Sequence, residues 1–213
     1  MNKRDRQIIA DLERFRVMSR NDIADLYFNH LKNPANSTNA VLKRLVRDNQ
    51  IKVDMSFRPY VYLPYNSTIK KQSTKIPHFL NIVMIYKQIK QYYDPDIFLV
   101  EPKYKKGLAE PDVFTKLKGV PFFIEVQRNH YSQKVMNDKI KRYEALSYEL
   151  GYNPFVIMIS DTRYEINSDI VTVFQVASIH EFMNKLNKMS PKKEKSTPDY
   201  SIKKDHGIKF KIV

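Results

Sequence analysis

Asp112 and Glu125 are the residues whose types and spacing point most directly to chemistry. They stand 13 positions apart in the segments EPDVF and FFIEVQ, each within or beside an apolar stretch that reads as a β-strand. If the two strands are neighbours, both carboxylates can enter one cleft. Two hard oxygen donors in a cleft suit Mg²⁺, whose remaining positions go to water and a substrate phosphate. Gln127 lies two positions after Glu125, so period-2 alternation places it on the same face of the strand. Glu101 closes the preceding apolar run and is a candidate third carboxylate. A plainer reading stays open: Pro-Asp is common at turns, and a glutamate near a strand end is usually solvated.

Other residues carry weaker signals. Lys139 and Arg142 can face phosphate from a long helix or form its solvated side, together with Arg128 and Lys141. His130 has no partner in the sequence and reads as a surface residue. Tyr92, Tyr93, Tyr131 and Tyr143 lack the adjacent H-x-H cluster that a tyrosine nicking nucleophile needs. With four glycines and no G-x-x-x-x-G-K-[ST], the chain does not read as a P-loop ATPase.

The elements that must hold the carboxylates follow from periodicity. Residues 78–93 read as a helix burying Leu80, Val83, Met84 and Ile89. Strands are expected at 96–100, 108–115 and 120–126. A long helix over 132–150 uses Val135, Ile140, Tyr143, Leu146 and Leu150, and Gly151 ends it as a C-cap. Strands at 155–159 and 170–176 and a helix at 179–189 complete the series. The order of helix, three strands, helix, two strands and helix implies a mixed sheet with helices on its faces.

The first 65 residues read differently. Asp5 to Phe15 has helical spacing, and Ser19 with Asp22 forms an S-x-x-D capping signal for a second helix. A third helix is expected from a Ser37 or Thr38 cap to about Asn49. Strands at 51–57 and 60–63 follow, turning at Arg58-Pro59. This is the order of a winged helix-turn-helix. On the third helix Val41, Leu42, Leu45 and Val46 face inward. Asn36, Ser37, Asn39, Ala40, Lys43, Arg44 and Arg47 lie on or beside the outer face, with Lys52 and Arg58 on the wing. Cations for phosphates, amides for base edges and a small residue at closest approach are what a major-groove helix needs. The expected organisation is a winged helix over 1–65, a linker over 66–77, an α/β domain over 78–189 and a basic tail over 190–213. In that tail the Ile208, Phe210, Ile212 alternation admits an added edge strand.

Composition narrows the class. Apolar residues make up 42% and aromatic residues 12%, a globular balance. No stretch approaches the roughly 18 consecutive apolar residues of a membrane helix, so no membrane role is expected. The absence of cysteine excludes disulfides and thiolate zinc sites, and fits a cytoplasmic setting. The net charge of +14 is divided unevenly: +8 over 1–75, zero over 76–184 and +6 over 185–213. Such basic ends favour a polyanion, and double-stranded DNA is the partner expected.

Pro111-Asp112 and Glu125-Val126-Gln127, in their setting of helix, three strands and helix, resemble the PD-(D/E)XK nuclease superfamily. That resemblance implies a PD-(D/E)XK-like α/β domain in which Asp112 and Glu125 bind the divalent metal. Gln127 would occupy the place of the motif lysine that orients or activates water. Glutamine is a departure, since it holds water by hydrogen bonding but carries no charge. More narrowly, RDRQIIADLERFRVMSRNDIADLYF, STNAVLKRLVRDNQI, the helix beginning at His78 and EPDVF…FFIEVQ…KIKRYEAL resemble the replication-relaxation family of plasmids and mobile elements, over roughly residues 4–150. This implies replication, mobilisation or processing of plasmid or phage DNA, with replication or mobilisation proteins as partners. Two readings follow: a DNA-targeted, Mg²⁺-dependent endonuclease, or a binding module whose second domain mediates homodimerisation or partner contacts. Convergence of Asp112 and Glu125 within metal-bridging distance favours the first; if they point apart or are ion-paired to lysines, the first fails.

Overall fold

The computed structural model describes residues 1–189. The expected basic tail and its edge-strand alternative lie outside the described residues. Within them are six helices and two sheets, a mixed α+β architecture.

The chain opens with α1 (Lys3–Phe15), which buries Ile8, Leu12 and Phe15, and whose N-cap Asn2 accepts the Asp5 N–H at 2.9 Å. A two-residue strand, β1 (Met18–Ser19), leads into α2 (Arg20–Tyr27). The Ser19 capping box forms as the spacing predicts: the Asp22 N–H donates to Ser19 Oγ at 3.1 Å, and the Ser19 N–H donates to Asp22 Oδ2 at 3.0 Å. The third helix, α3 (Pro34–Arg47), begins earlier than a Ser37 or Thr38 cap implies. Pro34 holds its first turn, where no N–H is needed. Thr38 is instead an interior residue whose Oγ1 donates back to the Pro34 carbonyl at 2.7 Å.

A hairpin of β2 (Ile51–Asp54) and β3 (Val61–Pro64) follows, and β1 joins it to give the antiparallel order β1-β3-β2. Its strands are shorter than expected on the first side. Asp54 turns its buried carboxylate back on the chain, accepting from the Ser56 N–H at 3.0 Å and from the Ser56 hydroxyl at 2.5 Å, so pairing stops there.

Residues 66–77 are not a free linker. Ile69 packs against the core, and the Gln72 N–H donates to the other Asp54 oxygen at 3.0 Å. From Lys75 the chain is already helical, in α4 (Lys75–Lys90). Pro77, which reads as a linker terminus, sits in the first turn, where a missing N–H costs no internal bond. Helix α4 buries Ile76, Phe79, Ile82, Val83, Ile85 and Ile89, whereas Met84, expected inside, is 46% exposed.

The second sheet has the order β4-β5-β6-β7-β8, formed by β4 (Ile97–Val100), β5 (Val113–Leu117), β6 (Val120–Val126), β7 (Phe155–Ile159) and β8 (Val173–Val176). The first three strands run antiparallel, and β6-β7 and β7-β8 are parallel. Crossover from β6 to β7 is made by α5 (Gln133–Leu150), capped by Ser132 and ended by Gly151 in the left-handed conformation. Strand β5 starts later than position 108, and pairs from Val113 with Val100 and Ile124. The last helix, α6 (Ile179–Met189), packs with α4 on one face of this sheet. On that side Phe122, Ile124, Ile157 and Phe182 join one apolar cluster that runs back to Ile8 and Leu12, so α4 is shared between the two parts of the chain. On the other face Phe114, Phe123 and Val156 meet Tyr143 and Leu146 of α5. Val135 points outward instead, and Met136 is buried. No helix of the described residues is long and apolar enough to cross a membrane.

Candidate functional site

Asp112 immediately precedes β5, and Glu125 lies near the end of β6. Because these strands are neighbours, both residues line one cavity of ≈ 620 Å³, together with Gln127 and Glu101. The four residues singled out by spacing therefore converge. Asp112 accepts the Val126 N–H on Oδ2 at 2.7 Å, and its Oδ1 lies 3.3 Å from His78 Nε2. The bond to Asp112 holds the imidazole above its ordinary value, against the opposing effect of burial. Glu101 adopts a left-handed φ of 46°, and its N–H donates to the Asp112 carbonyl at 2.8 Å.

Glu125 is 3% exposed. Burial pushes its carboxyl up, and the nearby Lys139 ammonium opposes that shift. One of its oxygens accepts from Lys139 Nζ and the other from the Tyr143 hydroxyl. Lys139 and Tyr143 are one helical turn apart on α5, so both reach the same strand position. Tyr143 is buried, and desolvation together with the carboxylate beside it holds its phenol protonated well above the ordinary range.

Gln127 follows β6. Its Nε2 donates to Tyr164 Oη at 2.5 Å and to the Asn129 carbonyl at 3.1 Å. The carbonyl can only accept, which fixes the orientation of the amide and leaves Gln127 Oε1 buried without a hydrogen-bond partner.

This donor set does not fit Mg²⁺ as it stands. Both Glu125 oxygens are committed to an ammonium and a phenol, and one Asp112 oxygen to a backbone N–H. Among the described residues no three His, Cys, Asp or Glu side chains are grouped to hold a metal ion. Ion pairing of a carboxylate to a lysine, here Glu125 to Lys139, is the arrangement on which the cleaving reading fails, while convergence is the arrangement set in its favour. Both are present.

Spacing did not single out His78, Tyr143 or Tyr164 for this cluster. Tyr143 and Lys139 carried one usable signal, their four-residue separation on a helix crossing β6. His78 and Tyr164 carried none, since one lies at the start of α4 and the other in a long loop. His130 is exposed as expected, and its ring nitrogen meets the Thr162 hydroxyl.

The second group of expected site residues lies on α3 and the β2-β3 hairpin. Asn36, Asn39, Ala40, Lys43 and Arg47 are exposed, Ser37 is half-buried, and Leu42 and Leu45 face the core. Val41 and Val46 are only partly buried. Lys43 makes no ion pair among the described residues. Arg47 is 73% exposed and reaches only its neighbour Asp48, at 2.9 Å. Arg44 departs from expectation. It turns inward and pairs with the buried Asp5 at 2.6 Å. On the hairpin, Arg58 stacks over the Tyr60 ring at 4.6 Å and donates to the Phe57 carbonyl at 2.9 Å. Lys52 reaches the Ser67 carbonyl at 3.4 Å.

In comparisons with known proteins, no family model and no curated protein matches this chain.

Proposed function

We propose that this protein binds double-stranded DNA through a winged helix-turn-helix formed by α1–β3, and that its second part is a nuclease-like scaffold serving replication, mobilisation or processing of plasmid or phage DNA. The observation that carries the reading is the outer face of α3. Asn36, Asn39, Lys43 and Arg47 project from it around the small, exposed Ala40, beside a hairpin bearing Lys52 and Arg58. Amides for base edges, cations for phosphates and little bulk between them match what a major groove offers. The net charge of +8 over residues 1–75 supplies the long-range attraction.

For the second part, the helix–three strands–helix–strand order and the meeting of Asp112, Glu125 and Gln127 in one cavity support a PD-(D/E)XK-like ancestry. The closed Glu125–Lys139–Tyr143 cluster favours a binding and accessory role. Mg²⁺-dependent cleavage is the second reading, favoured by the convergence of the carboxylates. It would require both Lys139 and the Tyr143 hydroxyl to release Glu125.

Two measurements test these readings. Anisotropy of a labelled duplex over a salt series is expected to show binding that weakens steeply with salt, and weakens further in Lys43→Ala. Salt-insensitive binding, or none, removes the DNA reading. Incubation of supercoiled plasmid with Mg²⁺ or Mn²⁺ then separates the two roles. Nicking that is lost in both Asp112→Ala and Glu125→Ala establishes cleavage, and intact plasmid alongside retained binding favours the accessory role.

A further inference from the structure

A second cavity, of ≈ 310 Å³, opens next to the carboxylate cavity and shares Val126, Gln127 and Arg128 with it. One wall is a stripe of α4: Asn81, Met84, Ile85 and Gln88 follow the i, i+3, i+4, i+7 spacing of a single helix face. The opposite wall is built where the parallel strands β6, β7 and β8 end, from residues 126–128, 159–161 and 177–179. Crevices outside the carboxyl ends of parallel strands are habitual ligand sites, because strand ends and the following loops present polar groups around an apolar floor.

Here the floor is apolar, formed by Ile85, Val126, Ile159 and Ile179. Met84 stands 46% exposed at its edge, a large apolar side chain on a helix whose neighbouring Val83 and Ile85 are buried. Around this floor the Asn81 and Gln88 amides and the Asp161 carboxylate make no side-chain hydrogen bond or ion pair among the described residues. The ligand that fits has an apolar body and a polar edge. An exocyclic amine is an edge group that the Asp161 carboxylate would accept from, with the Asn81 and Gln88 amides able to donate or accept along the rest of the edge. The Arg128 guanidinium, common to both cavities, has the chemistry to take an attached phosphate.

We infer that this cavity binds a nucleobase bearing an exocyclic amine (adenine, cytosine or guanine), packed against Met84 and read by Asn81, Gln88 and Asp161. Its phosphate lies toward Arg128 and the carboxylate cavity. Bases are taken out of a stack and held in this manner wherever a protein must reach a strand one nucleotide at a time. The inference extends the DNA-binding reading but rests on a cavity distinct from α3, so the two can fail separately.

The test uses the full chain with ¹³C-methyl methionine, in which the Met84 resonance, assigned through Met84→Leu, reports on the cavity. Free dAMP, dCMP, dGMP, dTMP and deoxyribose 5-phosphate are titrated first. A duplex with a single-stranded tail follows, its tail carrying either bases or abasic sites. The expected result is a Met84 shift with dAMP, dCMP and dGMP, weaker with dTMP and absent with the sugar phosphate. Affinity for the responding nucleotides should fall by about ten-fold in the Asn81→Ala/Gln88→Ala variant. A shift with the base-bearing tail but not the abasic one identifies the source as a strand. A response to mononucleotides alone identifies it as a free nucleotide in the same site. A silent Met84, or shifts equal for sugar phosphate and nucleotide, overturns the inference. Duplex affinity measured on the same sample separates the cases. Binding that depends on Lys43 with Met84 silent removes only the base site, whereas a responding Met84 without duplex binding removes only the proposed function.

Discussion

Lys139 of α5 places its ammonium on one oxygen of Glu125 of β6, a carboxylate that is otherwise sealed from solvent. The pair joins the helix face to the sheet, and the Tyr143 hydroxyl occupies the second oxygen. A buried carboxylate with both oxygens engaged is tolerable; with one cation removed it is an uncompensated charge.

Replacing Lys139 with Met therefore destabilises the metal-free protein at neutral pH by roughly 3 kcal/mol, the size expected when one partner of a buried pair is removed. The sign with pH follows from the raised Glu125 carboxyl. Its protonated form is the one the fold favours, so the penalty shrinks as pH falls through the folded value toward the ordinary 4.5. Urea unfolding of both proteins in chelator at several pH values checks this. An equal loss at every pH would mean that Glu125 is not the group left unpaired.

On α3 the variants separate by where each cation points. Lys43→Ala lowers duplex affinity by about ten-fold if the lysine meets a base, or lowers the salt slope by about one if it meets a phosphate; Arg47→Ala is expected to act in the same sense. Arg44→Ala acts first on the fold, because it strands the buried Asp5, and it lowers stability by about 2 kcal/mol. Anisotropy and thermal unfolding run in parallel distinguish the two classes. A stability loss in Lys43→Ala with Arg44→Ala unaffected would reverse the assignment.

Asp54 ties the end of β2 to the segment before α4. Burial pushes its carboxyl up, but the Ser56 hydroxyl and the Ser56 and Gln72 N–H groups outweigh it and leave it below the ordinary 3.8. A lowered folded value contributes stability that is present above 3.8 and lost as pH falls through the folded value. Asp54→Asn is thus expected to flatten the acid limb of the stability curve and to speed amide exchange at Gln72. Unchanged exchange at Gln72 would show that the segment is held by Ile69 packing alone.

The Ser19 capping box satisfies two groups at the start of α2, and Asp22 also receives Lys87 from α4 at 2.9 Å. Ser19→Ala is expected to cost about 1 kcal/mol. Circular dichroism melting reads the loss, and no change in melting temperature would assign the hold on α2 to Lys87.

Much of this molecule was legible from its sequence because the determining forces are local. Helical spacing of Ile8, Leu12 and Phe15, the Ser19–Asp22 cap, Gly151 after a long amphipathic run and the apolar stretch 120–126 each fix an element through contacts a few residues apart. Alternation along β6 placed Glu125 and Gln127 together for the same reason. What escaped depends on groups distant in sequence. The stretch 66–77 reads as a linker because it is polar, yet Asp54 and the core hold Ile69 and Gln72. Met84 reads as core because it is apolar, yet the packing of α4 against the sheet turns it to a cavity rim. Arg44 reads as a DNA contact because it is basic, yet the buried Asp5 draws it inward. The partners of Glu125 were decided only when α5 crossed β6. An ion pair between separate elements depends on a crossing geometry that neither element encodes alone.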